Sequence, residues 1–350
     1  MPLILGIETS CDESAAAVTD GPHRVLSSIV ATQHDLHEEY AGVVPEIASR
    51  AHLQRLMPVI ETALREAKVT LQDLDAIAVG HTPGLIGSLL VGVSAAKALA
   101  WSLNRPLIGV HHLLAHLHAP ALDDEPIAFP AISLLASGGH TAVYLQTSPL
   151  DVLLLGSTID DAIGEAFDKV STMLEAGYPG GPNIERLARE GDPTAVDLPI
   201  FKPRGDTISF SYAGLKTAVL YALRGHPTGR GKESTFPRSL ADCSPQRRAD
   251  LAASFQRCAI EALMRGVRIA VNTHKPTSLC GGGGVLANGL LREQMSTLAK
   301  ANSTTLRIPP MQYCIDNAAM IAGFASHRLA AGQVDSLDLQ AQPRKAIGTS

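Results

Sequence analysis

The sequence predicts an α/β fold built from two related domains. Short apolar strands alternate with helical segments along the chain, which is typical of sheets covered by helices. Each half of the chain also opens in the same way, with a strand, a Gly/Ser-rich turn, a second strand and then helices. This duplication indicates two domains that face each other across a cleft, where ligands usually bind.

Chain length and a proline-rich segment suggest where the domains meet. Of the 350 residues, 45% are hydrophobic, and single cores stop growing at roughly 250–300 residues. Residues 120–130 contain three prolines and read as a linker. We therefore expect an N-terminal domain over residues 1–130 and a C-terminal domain over residues 131–315. The segment 316–350 is expected to return to the first domain.

Periodicity and turn residues predict the individual elements. Strands are expected at residues 3–7, 15–19, 76–79, 107–110, 131–135, 142–145 and 278–280. Helices are expected at residues 51–67, 85–103, 160–174, 250–271, from about 287, and at 317–331. Pro58 predicts a kink or a helix start, and residues 178–183 predict a loop. Residues 85–103 are long enough to cross a membrane, but Lys97 and many small residues favour a buried helix.

Composition argues against several classes of protein. The formal net charge of −5 gives no support to nucleic-acid binding, although a local basic surface or a partner could still provide it. Five widely spaced cysteines without a CxxC pair do not suggest disulfides or a zinc ribbon. The first residues lack the basic start and the long apolar run of a signal peptide. We expect a cytoplasmic protein.

Two glycine-rich turns are candidates for binding an anion. Residues 137–139 and 281–284 each follow an apolar strand, and the second turn opens a helix. Glycines let the backbone approach a ligand and direct N–H groups at anionic oxygens. Together with the polar turn at residues 8–14, they favour a phosphate-bearing ligand over simple tight turns. Neither a P-loop nor GxGxxG after the first strand is present.

A histidine cluster suggests a metal site. His111, His112, His116 and His118 lie within eight residues. His112 and His116 are four residues apart, so on a helix both rings share one face and can bind one metal ion. No glutamate lies between them, so this is not the HExxH motif of metalloproteases. Asp316, where the last helix begins, is expected either to cap that helix or to complete the metal site.

Eight motifs are spread along nearly the whole chain. They are GIETSCDES (6–14), AGVVPEIASRAH (41–52), VHHLLAH (110–116), SGGHT (137–141), GEAFDK (164–169), YPGGP (178–182), SYAGLKT (211–217) and DNAAMIA (316–322). In this order they resemble the TsaD family of bacterial tRNA-modifying transferases. The resemblance implies an actin-like ATPase (ASKHA) fold, with two related ribonuclease-H-like domains and a ligand cleft between them.

The resemblance also implies a reaction and its partners. The family transfers the threonylcarbamoyl group of threonylcarbamoyl-adenylate to N6 of the adenosine that follows the anticodon in tRNAs reading ANN codons, forming t6A, and AMP leaves. It works with the TsaB and TsaE proteins. A metallopeptidase, an actin-like ATPase and a non-catalytic scaffold remain the alternatives.

The resemblance implies roles for individual residues. It assigns His112, His116 and Asp316 to one divalent metal, with iron(II) expected first and zinc as the alternative. It assigns the substrate contacts to Leu135, Ala136, Ser137, Gly138, Gly139, Asp168, Gly181, Glu185 and Asn288. Glu185 departs from the aspartate found in many members. Asp12 and Glu13 match an acidic pair near the reaction centre and are the candidate catalytic proton acceptors.

Overall fold

Two mixed β-sheets, each covered by helices, form the framework of the protein. A computed structural model describes residues 1–350 except 38, 39, 41, 124, 229–234, 346 and 348–350. The first sheet contains β1 (Leu3–Glu8), β2 (Glu13–Asp20), β3 (Arg24–Thr32), β4 (Ala76–Thr82) and β5 (Leu107–His111). The second contains β6 (Ala131–Ala136), β7 (Thr141–Gln146), β8 (Val152–Thr158), β9 (Ser209–Phe210), β10 (Ser278–Gly282) and β11 (Thr305–Arg307).

The two sheets repeat one topology. The first has the order β3-β2-β1-β4-β5, and the second has β9-β8-β7-β6-β10-β11. In each, the opening strand pairs antiparallel with the next strand and parallel with a later one: β1 with β2 and β4, and β6 with β7 and β10. The α/β fold and the internal duplication predicted from the sequence are therefore confirmed.

Helices cover these sheets. Their bounds are α1 (His34–His37), α2 (Pro45–Ala67), α3 (Ile86–Leu103), α4 (His112–His118), α5 (Ile163–Met173), α6 (Gly180–Ala188), α7 (Ala213–Arg224), α8 (Pro245–His274), α9 (Gly289–Ala301) and α10 (Ala318–Ala330). The buried face of α8 runs from Ala249 to Val271 and forms much of the core under the second sheet. The first sheet is covered by α2 and α3 on one face and by α10 on the other.

The last helix reaches the centre of the first sheet because β1 carries a glycine there. A Cβ placed on Gly6 would lie 2.3 Å from the carbonyl oxygen of Ala318 and 2.9 Å from the amide nitrogen of Ala322. The backbone of α10 therefore lies directly on β1. This packing brings residues just before α10, including Asp316, next to the carboxyl ends of the first-sheet strands. The domain bounds predicted from the sequence remain a prediction, although β5 ends at His111 and β6 begins at Ala131.

Three local predictions differ from the structure. Helix α2 runs from Pro45 through Pro58 to Ala67, so no helix starts at Pro58, whereas a kink there stays a prediction. Residues 178–183 are not all loop, because α6 begins at Gly180, whose N–H donates to Asp168 Oδ1 at 2.7 Å. Helix α3 is buried on one face only: Leu89 and Val93 are buried, whereas Leu90 is 50% exposed.

Helix α3 alone, among the described residues, is long and apolar enough by composition to cross a membrane. Its Ser88–Ala100 face nevertheless packs against β4 and α2. Gly92 fits closely there, because a Cβ on it would lie 2.4 Å from the Thr9 hydroxyl oxygen. These contacts make α3 one of the layers that cover the first sheet.

Gly6→Ala is expected to lower the free energy of unfolding by about 1–3 kcal/mol, since the new methyl group meets the α10 backbone, which cannot rotate away. Chemical denaturation monitored by circular dichroism measures the change. Gly214→Ala in α7 is the matched control, because a Cβ at Gly214 meets nothing within 4 Å. Equal stability of the two variants would contradict this account of the packing.

Candidate metal and anion site

The two histidines of the predicted metal pair share one face of α4. Strand β5 ends at His111, and α4 begins with the next residue. The rings of His112 and His116 are nearly perpendicular, with centroids 4.6 Å apart. Both side chains are buried. The four-residue spacing therefore does place two imidazoles side by side, as the sequence predicts.

Asp316 faces these histidines and does not cap the last helix. The cap is Asn317, whose Oδ1 accepts the Met320 N–H at 3.0 Å. Asp316 Oδ1 lies 2.9 Å from His116 Nε2 and 3.5 Å from His112 Nε2. One ligand atom from each of the three side chains lies within 4.8 Å of the other two. Of the two roles left open for Asp316, the structure excludes capping and leaves a group that could hold a metal.

Glu8 orients His112 for such a role. Its Oε2 lies 3.0 Å from His112 Nδ1, so this nitrogen carries the proton and donates to the carboxylate. The other ring nitrogen, Nε2, is the one that faces Asp316. Metal-binding histidines commonly donate their second nitrogen to a carboxylate in this way, which fixes the tautomer. Glu8 is fully buried. A Cβ on Gly80 would lie 2.5 Å from Glu8 Oε2, so the glycine makes room for the carboxylate.

The charges around His112 favour a cation. Burial acts to lower the pKa of His112, but Asp316 and Glu8 outweigh it and raise the pKa well above its usual value. Burial likewise acts against ionisation of Asp316, but His112 outweighs it and lowers the Asp316 pKa. The pKa of His116 is lowered, first by burial. Two carboxylates therefore share one buried imidazolium, and a divalent cation would supply the positive charge that this donor set stabilises.

The two glycine turns lie side by side at the ends of neighbouring strands. Strands β6 and β10 are parallel, and Gly282 pairs with Leu135. Gly283 has φ +94°, and a Cβ there would lie 2.5 Å from the carbonyl oxygen of Ala136. By contrast, a Cβ on Gly138 or Gly139 meets nothing within 4 Å. The first turn therefore has open space beside it for a ligand, and the second turn packs against the backbone of Ala136, just before the first.

One amide of the first turn is already engaged. The Ser137 N–H donates to the carbonyl oxygen of His140 at 2.8 Å, and the Ser137 hydroxyl accepts the His140 N–H at 3.2 Å. The turn thus holds its own shape, and within the described residues the N–H groups of Gly138 and Gly139 have no protein acceptor. Leu135 and Ala136 are fully buried, so their side chains support the turn from within the core.

Helix α4 and the second sheet are in contact at Gly282. A Cβ on this residue would lie 2.2 Å from the carbonyl oxygen of His116. His140, in the first turn, is also close: burial lowers its pKa to about 4, and His112 and His116 act in the same direction. The His112/His116/Asp316 group and the two glycine turns therefore adjoin each other and form one candidate site.

The remaining predicted substrate residues gather where two helices begin. Asp168 accepts from the first N–H of α6, and Gly181 follows with open space beside it. Glu185 Oε1 accepts the Gly289 N–H at 3.1 Å, and Asn288 Oδ1 accepts the Leu291 N–H at 3.1 Å, both at the start of α9. The structure places Asp168, Glu185 and Asn288 together, but each of them uses an oxygen to cap a helix.

Asp12 and Glu13, the predicted acidic pair, lie close to both Cys11 and Tyr178. Asp12 and Glu13 are buried at the start of β2. Burial raises the pKa of the Cys11 thiol, and the charges of Asp12, Asp316 and Glu13 raise it further. Burial, with the charges of Asp12 and Asp168, also raises the pKa of Tyr178. The pair is therefore close enough to act electrostatically on both the metal side and the α6 side of the site.

Sequence reasoning missed two residues and a set of contacts that support the site. Glu8 and His140 stood in motifs that were noticed, but no role was assigned to either. The C-terminal segment was expected to return to the first domain, but its contacts beside the site were not foreseen. The His111 Nε2–H donates to the carbonyl oxygen of Lys345 at 2.9 Å, and Ile347 packs in the cluster that contains Leu113 of α4. The sequence signal that could have identified Glu8 is a carboxylate at the end of β1. No sequence signal indicates the contacts of the C-terminal segment.

Solved structures with this architecture share the fold at low sequence identity. HypF from T. kodakarensis matches 95% of this chain and 48% of its own, with a TM-score of 0.61 at 15% identity. Component A of the (R)-2-hydroxyglutaryl-CoA dehydratase from Acidaminococcus fermentans matches 94% of this chain and 100% of its own, with a TM-score of 0.52 at 12% identity. The actin-like fold expected from the sequence is confirmed.

Relatives of known name are much closer in sequence. A protein of Symbiobacterium thermophilum is 49% identical over 99% of this chain and 97% of its own length. One of Anaeromyxobacter dehalogenans is 44% identical over 98% and 99%. Both are named tRNA N6-adenosine threonylcarbamoyltransferase, a name that lends no support to the peptidase, ATPase or scaffold alternatives.

A family model described as "TsaD: tRNA N6-adenosine threonylcarbamoyltransferase" matches residues 24–323, which contain all three metal-group residues. The match covers most of the chain, and the relatives align from end to end. The chain therefore belongs to the TsaD family of tRNA N6-adenosine threonylcarbamoyltransferases.

Proposed function

We propose that the protein transfers the threonylcarbamoyl group from threonylcarbamoyl-adenylate to N6 of the adenosine that follows the anticodon in tRNAs reading ANN codons. The products are t6A and AMP. One observation carries the proposal: the His112/His116/Asp316 group and the open Gly138–Gly139 turn adjoin each other in a chain of this family. Such a site can hold both ends of an acyl-adenylate.

His112, His116 and Asp316 would hold one divalent metal. The donor set fits: Nε2 of His112 is presented by the Glu8 contact, and two imidazoles with one carboxylate suit iron(II) or zinc with positions left open. We propose iron(II) first. When bound, the metal would supply a Lewis acid near the carbonyl of the threonylcarbamoyl group.

The protein's own groups would hold the adenylate. The N–H groups of Gly138 and Gly139 would donate to its phosphate, because the Ser137 amide is already used. The nucleoside would lie at the starts of α6 and α9, near Asp168, Gly181, Glu185 and Asn288.

The chemistry then requires positioning more than a strong base. The exocyclic amine of adenosine attacks the carbamoyl carbon, the N–C bond forms, and the C–O bond to AMP breaks. An aromatic amine is a weak nucleophile, so orientation of the two reactants matters most. Asp12 or Glu13, both buried near Asp316, would accept the proton that the amine loses.

Partner proteins would act alongside this chain. The net charge of −5 is compatible with tRNA binding that is shared with other chains, and we propose TsaB and TsaE as the partners. Apolar side chains that remain exposed on the adjacent helices α2 and α3 support a protein contact there. They are Leu53, Met57, Ile86, Leu90 and Trp101. We propose a cytoplasmic location, because the proposed substrate is tRNA.

The function can be tested by nucleoside analysis of tRNA. Unmodified tRNA is incubated with threonine, bicarbonate, ATP, the adenylate-forming enzyme, TsaB and TsaE, with and without this chain. We expect t6A by mass spectrometry only when the chain is present. The His112→Ala/His116→Ala variant should lose at least 100-fold in rate and its bound metal, because both imidazole ligands are gone, and should remain folded.

His274→Ala is the control for the double variant, because His274 lies in the last turn of α8, away from the site. It should retain both activity and metal. A fully active double variant would overturn the metal assignment. Absence of t6A with the native chain, alongside a working positive control, would overturn the transferase function.

Glu8→Gln tests the orientation of His112. The amide loses the negative charge that holds the Nδ1 proton, so metal affinity should fall ~10–100-fold, as for other residues that support a ligand histidine. Competition with a chelator of known affinity measures the change. Glu46→Gln, on the exposed first turn of α2, should leave the affinity unchanged. Equal affinities in the two variants would show that Glu8 has no such role.

Gly138→Ala tests the anion turn. A methyl group there meets no protein atom within 4 Å, so the unfolding free energy should stay within about 0.5 kcal/mol of the native value. The methyl group would instead project into the space proposed for the phosphate and should raise the KM for the adenylate about tenfold. An unchanged KM in a stable variant would remove Gly138 from the binding site.

A further inference from the structure

A second cluster of histidines lies on the other side of α4. It consists of His23, before β3, His118, at the end of α4, and His327, on α10. His116 and His118 are two residues apart on the helix, so their rings point to nearly opposite faces. The proposed function uses His116 and leaves His118, His23 and His327 without a role.

Two of these rings are held by backbone carbonyl groups. The His118 Nε2–H donates to the carbonyl oxygen of Pro22 at 2.7 Å, and the His23 Nδ1–H donates to that of Ala121 at 3.0 Å. A neutral imidazole that donates from one nitrogen keeps a lone pair on the other. Nδ1 of His118 and Nε2 of His23 are therefore available as ligands. The same arrangement orients histidines in known metal sites.

The third ring is free to adjust. The His327 side chain makes no hydrogen bond within the part of the chain that the structure describes, although the ring is half-buried. Its centroid lies 5.0 Å from that of His118 and 6.0 Å from that of His23, and the latter two are 5.8 Å apart. Three imidazoles on one tetrahedral ion have ring centres about 5 Å apart, given metal–nitrogen bonds of about 2.0 Å.

A small cavity adjoins the three rings. Its volume is about 50 Å³, and its other walls are mainly apolar, including Leu117, Ile127 and Phe129. A space of that size holds an ion with one water, since a single water needs only about 10–15 Å³. Apolar walls would not satisfy the lone pairs of the imidazoles, whereas a cation would.

We propose that His23, His118 and His327 bind a second divalent transition-metal ion of the zinc type, separate from the first metal group. In the described residues, only the His112 group already has three ligand atoms within 4.8 Å. Closing the second site therefore needs a rotation of His327, the ring that no hydrogen bond restrains. The bound ion would tie the β2–β3 turn, the end of α4 and α10 together. It would stabilise the first sheet in proportion to its binding free energy.

Metal titration of the whole chain tests the proposal. Metal-free protein is titrated with Zn²⁺ in a calorimeter, and bound zinc is then counted after gel filtration. We expect two equivalents per chain for the native protein and one for His327→Ala and for His23→Gln, both of which avoid the buried His118. Asp316→Asn should lose the other equivalent and keep the one at the second cluster.

His274→Ala is again the matched control and should bind two equivalents. The native protein, but not His327→Ala, should also gain in melting temperature from the second equivalent, and anomalous diffraction at the zinc edge should show a peak among the three rings. Equal zinc stoichiometry in the native protein, His327→Ala and His23→Gln would refute the site. The result is independent of transferase activity, so failure of either proposal is distinguishable from failure of the other.

Discussion

The approach of Asp316 to two histidines of α4 is the contact on which the candidate site depends. Asp316 and His116 are 200 positions apart in the sequence, and the distance between Asp316 Oδ1 and His116 Nε2 is 2.9 Å. Burying charged groups is costly unless their charges are matched, and Glu8, beside His112, is a fully buried carboxylate. The arrangement is stable only if the sheet, α4 and α10 are all in place. The geometry of the candidate site therefore depends on the packing of α4 and α10 against the first sheet.

The two sheets repeat one topology but carry different residues at their strand ends. In the first sheet, Glu8 ends β1 and His112 follows β5. In the second sheet, the turn with Gly138 and Gly139 follows β6, and Gly282 ends β10. The first sheet would thus offer groups suited to a cation and the second a turn suited to an anion, as the proposed acyl-adenylate requires.

The sequence predicted those parts of the molecule that depend on local spacing. The His112–His116 pair, the glycine turns and most strands could be recognised because period and spacing determine them. Pro58 misled because a long amphipathic helix, packed on the sheet, tolerates a proline that would break a helix in isolation. The start of α6 at Gly180 depends on Asp168, twelve residues earlier, and the role of Asp316 depends on Asn317 taking the cap. Such contacts are made by tertiary structure, which spacing alone does not reveal.

The position of α10 has a consequence for biosynthesis. Strand β1 leaves the ribosome first, yet the helix that covers its centre at Gly6 comes from residues 318–330. At a synthesis rate of about 5–20 residues per second, α10 is made roughly 15–60 s after β1. The second sheet, complete by Arg307, can close earlier. We therefore expect the nascent chain to fold in the reverse of its sequence order and to expose apolar β1 to chaperones until the last tenth of the chain is made.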